Sequence, residues 1–177
     1  MIAFMPNGKN DRLLHGLLAF ALIALTAAVV DSMRDRVVRA GDQAPYFSLR
    51  ADNGLTITPT AFSGKVLIVN FWATWCPPCV EETPSMVAFA NQYRDKGVVV
   101  FGISVDKSQK NYDNFIRRFG ISFLTARDPE AKVSDMFGTY VYPETYIINP
   151  QGKVVQKIIG GTNWTDPNLM RFIEGML

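Results

Sequence analysis

The two cysteines of this 177-residue chain stand two residues apart, as Cys76-Pro77-Pro78-Cys79, directly behind the run Val66–Phe71, VLIVNF. A short, largely β-branched apolar run of this kind reads as a buried central strand. Beyond the cysteines, Met86, Phe89, Ala90 and Tyr93 recur at helical spacing. A helix is therefore expected from the cysteines to about Asp95. Pro84 falls inside it and is expected to kink it, because its ring removes a hydrogen bond. Gly97 ends that helix, and Val98–Val105 reads as a second buried strand. Strand, helix and strand in this order are the unit of an α/β sheet.

The flanking segments fit the same architecture. Tyr46–Leu49 and Leu55–Thr58 surround the turn Asp52-Asn53-Gly54, which predicts an N-terminal β-hairpin. Ser108 is placed to cap a helix that runs to Phe119 and stops at Gly120, with Tyr112, Phe115, Ile116 and Phe119 as its buried stripe. Asp128-Pro129 opens a further helix to about Phe137. Tyr146–Asn149 and Val154–Gly160 read as strands joined by Pro150-Gln151-Gly152, and Asp166-Pro167 starts a last helix. The order predicts a sheet with helices on both faces. With 18 basic and 16 acidic residues, charge is nearly balanced, which excludes nucleic-acid binding through a broad cationic face.

Leu13–Val30, LLHGLLAFALIALTAAVV, holds eighteen residues with no formal charge if His15 is neutral. That is just long enough to span a bilayer as a helix. Lys9 and Arg12 precede it, as in the positive region of a signal sequence. Three readings stand: a retained anchor, a signal peptide cleaved near Thr26-Ala27-Ala28, and a buried helix. The anchor reading divides the chain into a cytoplasmic N-terminus at residues 1–12, a transmembrane segment at 13–30, a solvated linker at 31–44 and a folded domain at 45–177. Arg34, Arg36 and Arg39 leave the basic bias on neither side. A signal-like start at the extreme N-terminus is what places the domain outside the cytoplasm.

Chemistry concentrates on the cysteine pair. A bridge across two residues closes a tiny loop and constrains little of the unfolded chain, so a structural staple is a poor reading. Structural zinc needs four ligands, and the only histidine, His15, lies in the apolar tail. At the N-terminus of a helix, by contrast, a thiolate is favoured by backbone N–H groups and the helix dipole. Cys76 is then the expected nucleophile and Cys79 the resolving thiol. Pro77 and Pro78 stiffen the loop. Trp72 and Trp75 offer an apolar landing surface, or serve as ordinary core and rim aromatics.

The segment FWATWCPPC resembles the active site of the thioredoxin superfamily. Pro84 falls where that family kinks its active-site helix, VYPETYII resembles its cis-proline strand entry, and NPQGKVV resembles the hairpin that follows. The likeness covers roughly Gly41 to Leu177. Matter inserted between Ser104 and Thr139 resembles the TlpA/ResA/CcmG branch, whose members are exported, often membrane-anchored thiol–disulfide oxidoreductases. The resemblance implies a thioredoxin-like three-layer α/β/α sandwich around a mixed sheet. It also implies a cis bond before Pro143, a backbone contact from Tyr142 to the client, and client contacts at Trp75, Pro77 and Pro78. No cofactor beyond the Cys76–Cys79 disulfide is implied. The expected partners are a disulfide-bearing client such as apocytochrome c and a membrane thiol donor, and a monomer in the bacterial inner membrane is expected.

One position departs from the pattern. Ordinary thioredoxins carry a buried aspartate six residues before the first cysteine, where this chain has Asn70. A neutral amide cannot accept the proton of Cys79, so another group must do so if base catalysis is used. Glu144, next to Pro143, is the expected candidate, and Asp106 a second. Glu81 and Glu82 read first as solvated helix residues, with client recognition as a second role. Two other functions compete with disulfide reduction. A peroxidase would need threonine three residues before its reactive cysteine, where Ala73 stands with Thr74 one place off register. A binding module would leave the cysteine pair unused.

Overall fold

The computed structural model describes residues 8–32 and 37–177, and the chain divides into two units, Met1–Asp35 and Arg36–Leu177. In the first unit, α1 spans Gly8–Ser32. Leu13, Leu17, Phe20 and Ile23 are all exposed, so the helix presents apolar side chains outward. Among the described residues no helix is long and apolar enough to cross a membrane. Side chains within the apolar run are described over 13–29. Of the expected N-terminus at 1–12 and linker at 31–44, residues 1–7 and 33–36 lie outside the described residues.

Residues 37–44, expected to be part of a solvated linker, are bonded into the domain. Val38 is buried and its N–H donates to the Phe137 carbonyl at 3.1 Å. Gly41 N–H reaches Val154 O at 2.8 Å, and Gln43 forms an antiparallel bridge with Lys153. Their charged neighbours hid one apolar anchor, Val38.

A hairpin of β1 (Leu49–Arg50) and β2 (Thr56–Ile57) follows, shorter than expected but turning at the expected residues. A 3-10 turn at Pro59–Phe62 leads into β3, Val66–Trp72, in which every residue is buried. Then come α2 (Pro77–Tyr93), β4 (Val98–Ser104) and α3 (Gln109–Phe119). The ends of α3 match the sequence reading. Ser108 Oγ accepts from Asn111 N–H at 3.3 Å, and Gly120 adopts φ 59°, a left-handed conformation that glycine enters at little cost.

Next is a strand that the sequence reading lacks, β5, Leu124–Arg127. Its Thr125 and Arg127 leave no apolar run of the kind that marks β3 and β4. It still pairs parallel with β4, so backbone hydrogen bonds at the sheet edge decide where pattern is silent. The helix expected from Asp128-Pro129 starts later, as α4, Lys132–Phe137. Asp128 accounts for the delay: its carboxylate accepts from Lys132 N–H and Val133 N–H at 3.1 and 2.7 Å, capping from four residues upstream. β6 (Glu144–Ile148), β7 (Val154–Ile159) and α5 (Pro167–Glu174) complete the chain.

The five long strands lie in the order β5-β4-β3-β6-β7, with β3, β4 and β5 parallel and β6 and β7 antiparallel to their neighbours. Side chains alternate cleanly across β3. Val66 and Ile68 pack with Met86, Phe89 and Tyr93 of α2 and Ile173 of α5. Leu67, Val69 and Phe71 pack on the other face with Phe47, Ile57 and Phe137. A third cluster at the carboxyl end of β3 joins Trp72, Cys76 and Cys79 to Tyr112 and Phe115 of α3. The site sits there, at the end of a central parallel strand, where crossover connections open a crevice.

Candidate active site

Cys76 is the N-cap of α2, and Pro77 and Pro78 occupy the first helical positions. Neither proline has an N–H, so the helix end keeps few free donors. One of them, Cys79 N–H, is aimed at Cys76 Sγ at 3.3 Å. Cys76 and Cys79 are joined in a disulfide with Cα atoms 5.3 Å apart. Both are buried, at 4% and 1% exposure. The bond between Tyr142 and Pro143 is cis, and the Tyr142 carbonyl oxygen lies 3.3 Å from Cys76 Sγ. Trp75 is 65% exposed and stands edge-on to the Tyr142 ring, with centroids 6.1 Å apart. The structure thus brings Trp75, Cys76, Pro77, Pro78, Cys79, Tyr142 and Pro143 to one place.

Glu144 is placed elsewhere. Its register partner on β3 is Phe71, so its side chain lies on the sheet face opposite α2. There its carboxylate accepts from Thr139 Oγ1 at 2.8 Å and from Tyr146 Oη, and pairs with Lys157 Nζ at 2.7 Å. Burial, and then the Glu144 hydrogen bond, pushes the Tyr146 hydroxyl up from its usual range. The expectation that a cis Pro143 would set Glu144 beside the sulfurs overlooked strand alternation: the residue after the proline turns away from the active-site helix.

Glu82 corrects a second expectation. Instead of a solvated helix residue it is a buried carboxylate, 5% exposed. Asn70 Nδ2 donates to its Oε1 at 3.0 Å, while Thr162 N–H and Trp164 Nε1 donate to Oε2 at 3.2 and 3.4 Å. Burial raises its pKa above the ordinary carboxylate value, and these three bonds oppose the rise only in part. One turn along α2 from Cys79, it lies on the same helix face. The residue bonded to it from β3 is the Asn70 that stands in the place of the thioredoxin aspartate. The sequence did carry a signal: continuing the stripe Tyr93, Phe89, Met86 one turn toward the N-terminus arrives at Glu82, and a second turn at Cys79. No pattern announced Trp164, which is wholly buried against Phe89.

Asp106 is buried as well, at 2% exposure. Its carboxylate accepts from Thr74 N–H at 2.8 Å, Thr74 Oγ1 at 2.6 Å and Ser104 Oγ at 2.7 Å. The Thr74 hydroxyl is committed to this contact, so it does not serve Cys76 as a peroxidase threonine would.

A cysteine pair at the start of a helix, behind a central strand and facing a cis-proline on a mixed sheet, defines a thiol–disulfide oxidoreductase of the thioredoxin fold. The chain belongs to the AhpC/TSA family, whose profile matches residues 40–157. Within the thioredoxin superfamily it is of the TlpA/ResA/CcmG type. It is 32% identical to the thiol-disulfide oxidoreductase ResA of Oceanobacillus iheyensis, over 86% of this chain and 83% of that one. To ResA of Bacillus subtilis it is 35% identical, over 71% and 69% of the two chains. Among solved structures, a Chlorobium tepidum protein assigned as the thiol:disulfide interchange protein DsbE superposes with a TM-score of 0.72 at 26% identity, covering 79% of this chain and 98% of its own.

Proposed function

We propose that this chain reduces protein disulfides outside the cytoplasm, tethered to the bacterial inner membrane by residues 13–30, with apocytochrome c among its clients. The observation that carries the reading is the lone cysteine pair at the N-terminus of α2, with Cys79 N–H aimed at Cys76 Sγ. In the reduced protein that N–H stabilises a Cys76 thiolate. The thiolate attacks one sulfur of the client disulfide, forming a mixed disulfide and releasing the other client sulfur as a thiolate. Cys79 then loses its proton to Glu82 and attacks Cys76 Sγ. The client leaves as a dithiol, two electrons richer, and Cys76–Cys79 is oxidised. Protons lost by the two enzyme thiols balance those gained by the client. A membrane thiol donor resets the pair.

Exposed Trp75 and half-buried Tyr142 form the apolar rim on which an extended client segment lies, with Pro77, Pro78 and Pro143 flanking the sulfurs. The uncharged run Leu13–Val30 supports the tether, and the ResA relatives support the exchange chemistry. The midpoint potential of the Cys76–Cys79 couple tests the direction of electron flow. The reductase reading expects a value nearer the roughly −270 mV of thioredoxin than the roughly −120 mV of DsbA. A value at the oxidising end would make the protein a donor of disulfides.

A further inference from the structure

The loop from Trp72 to Cys76 must deliver the nucleophile to the tip of α2. Its backbone is held at Trp72 by Val105 N–H, at 3.0 Å, and closes through a bond of 3.3 Å from Cys76 N–H to Ala73 O. Between these points stands Thr74, and what holds it is a carboxylate from the neighbouring strand's end. Thr74 gives Asp106 both its N–H and its hydroxyl, one to each oxygen. Asp106 is in turn fixed. Ser104 Oγ donates to its carboxylate and accepts from its N–H, and Arg127 Nη1 bonds the carbonyls of Asp106 and Lys107 at 3.2 and 3.0 Å. Among the described residues no cation pairs with the carboxylate itself. Two of the three side-chain and backbone donors that balance this buried anion therefore belong to Thr74. If the loop changes shape, the anion loses them, and an unbalanced buried charge is strongly disfavoured.

We propose that Asp106 is a positioning residue for the attacking thiolate: by clamping Thr74 at two points it holds Cys76 where its sulfur meets Cys79 N–H. This deepens the function proposed above and rests on Cys76 being the nucleophile. Geometry and charge act here with opposite signs. Loss of the clamp frees Cys76 from its N–H donor and raises its pKa. Loss of a nearby negative charge, by itself, lowers it.

The test uses the reduced full-length protein, with thiolate absorbance titration and insulin-disulfide reduction as readouts. Asp106→Asn keeps the contacts: its oxygen accepts from Thr74 N–H, and its amide donates to the Thr74 hydroxyl oxygen, which also accepts. With the charge gone and the contacts kept, the clamp predicts for Asp106→Asn a Cys76 pKa at or below that of wild type and no slowing of reduction at neutral pH. For Asp106→Ala it predicts an upward shift, with attack at neutral pH slowed about threefold for each tenfold loss of thiolate, since higher nucleophilicity recovers part of the loss. A Cys76 pKa that falls in both variants would show a charge effect and overturn the proposal, as would an unmoved titration in Asp106→Ala. If Asp106→Ala does not fold, Thr74→Val removes one of the two clamp bonds and decides the matter: an intermediate upward shift supports the clamp, no shift overturns it. Wild type separates this from the parent reading. A wild-type Cys76 that titrates as a free thiol, with Cys76→Ser still reducing insulin, would sink the assignment of the nucleophile itself.

Discussion

Glu82 and Glu144 are both carboxylates nearly closed to solvent, and their neighbours give them different tasks. Glu82 has neutral partners: an asparagine amide, a backbone N–H and an indole. Burial without a cation raises its folded pKa above 4.5. A raised folded pKa means that the native state binds the proton more tightly than the unfolded chain does. The resulting stability is full below the unfolded pKa, near pH 4, and is lost as pH rises through the folded pKa. Glu82→Gln removes that dependence, because a flip of the Asn70 amide lets it accept from Gln and still bond Thr145. Thermal melts should find Glu82→Gln more stable than wild type at pH 7, with the gap closing toward pH 4. The variant should also resolve mixed disulfides more slowly, by roughly the hundredfold typical of a lost general base, with its dependence on a group above pH 4.5 gone. Glu144 is different, because Lys157 balances it. Glu144→Gln should leave the pH profile of exchange unchanged while costing about 2–3 kcal/mol, since it strands a mostly buried ammonium. For a domain of this size that is a fall in Tm of about 4–12 °C. A displaced pH profile would return Glu144 to the site.

At the scale of elements, the first turn of α2 is pressed from two sides. Asp106 holds the loop that enters it. On the other side Gly161, after β7, approaches so closely that a Cβ there would lie 3.1 Å from the Pro78 carbonyl oxygen. Gly161→Ala should therefore shift the helix start by a few tenths of an ångström. Exchange should slow several-fold, at a stability cost of about 1 kcal/mol, read by insulin reduction and melting in parallel. Unchanged exchange would show that the turn is free to yield. The element pattern itself was largely legible. Ser108 and Gly120 bound α3 as sequence chemistry dictates, Asp166 caps α5 by accepting from Asn168 and Leu169 N–H, and VLIVNF is the central strand. What escaped is what no local period encodes. β5 is set by pairing with β4, α4 begins where the Asp128 carboxylate reaches, and Val38 is buried in a core cluster with residues far along the chain, its N–H on the Phe137 carbonyl. Of the site, the cysteines and the cis-proline could be read from their motif. Glu82 escapes a local reading because a charged residue in a helix's first turns ordinarily faces water, although the stripe of α2 leads to it.

For the whole molecule, the proposed tether pairs a catalytic domain that has its own cores with the apolar helix α1. Full-length protein should sediment with membranes and resist extraction by high salt, whereas a chain starting at Arg36 should remain in the supernatant and reduce insulin at the full-length rate. Full-length protein in the soluble fraction would remove the tether from the account. The chemistry is tested most directly by trapping. Exported full-length Cys79→Ala and Cys76→Ala variants, quenched in acid and alkylated, are separated on non-reducing gels. Client adducts are expected on Cys79→Ala, broken by reductant, and none on Cys76→Ala. Equal trapping by both variants, or adducts confined to Cys76→Ala, would contradict the order of attack on which the mechanism stands.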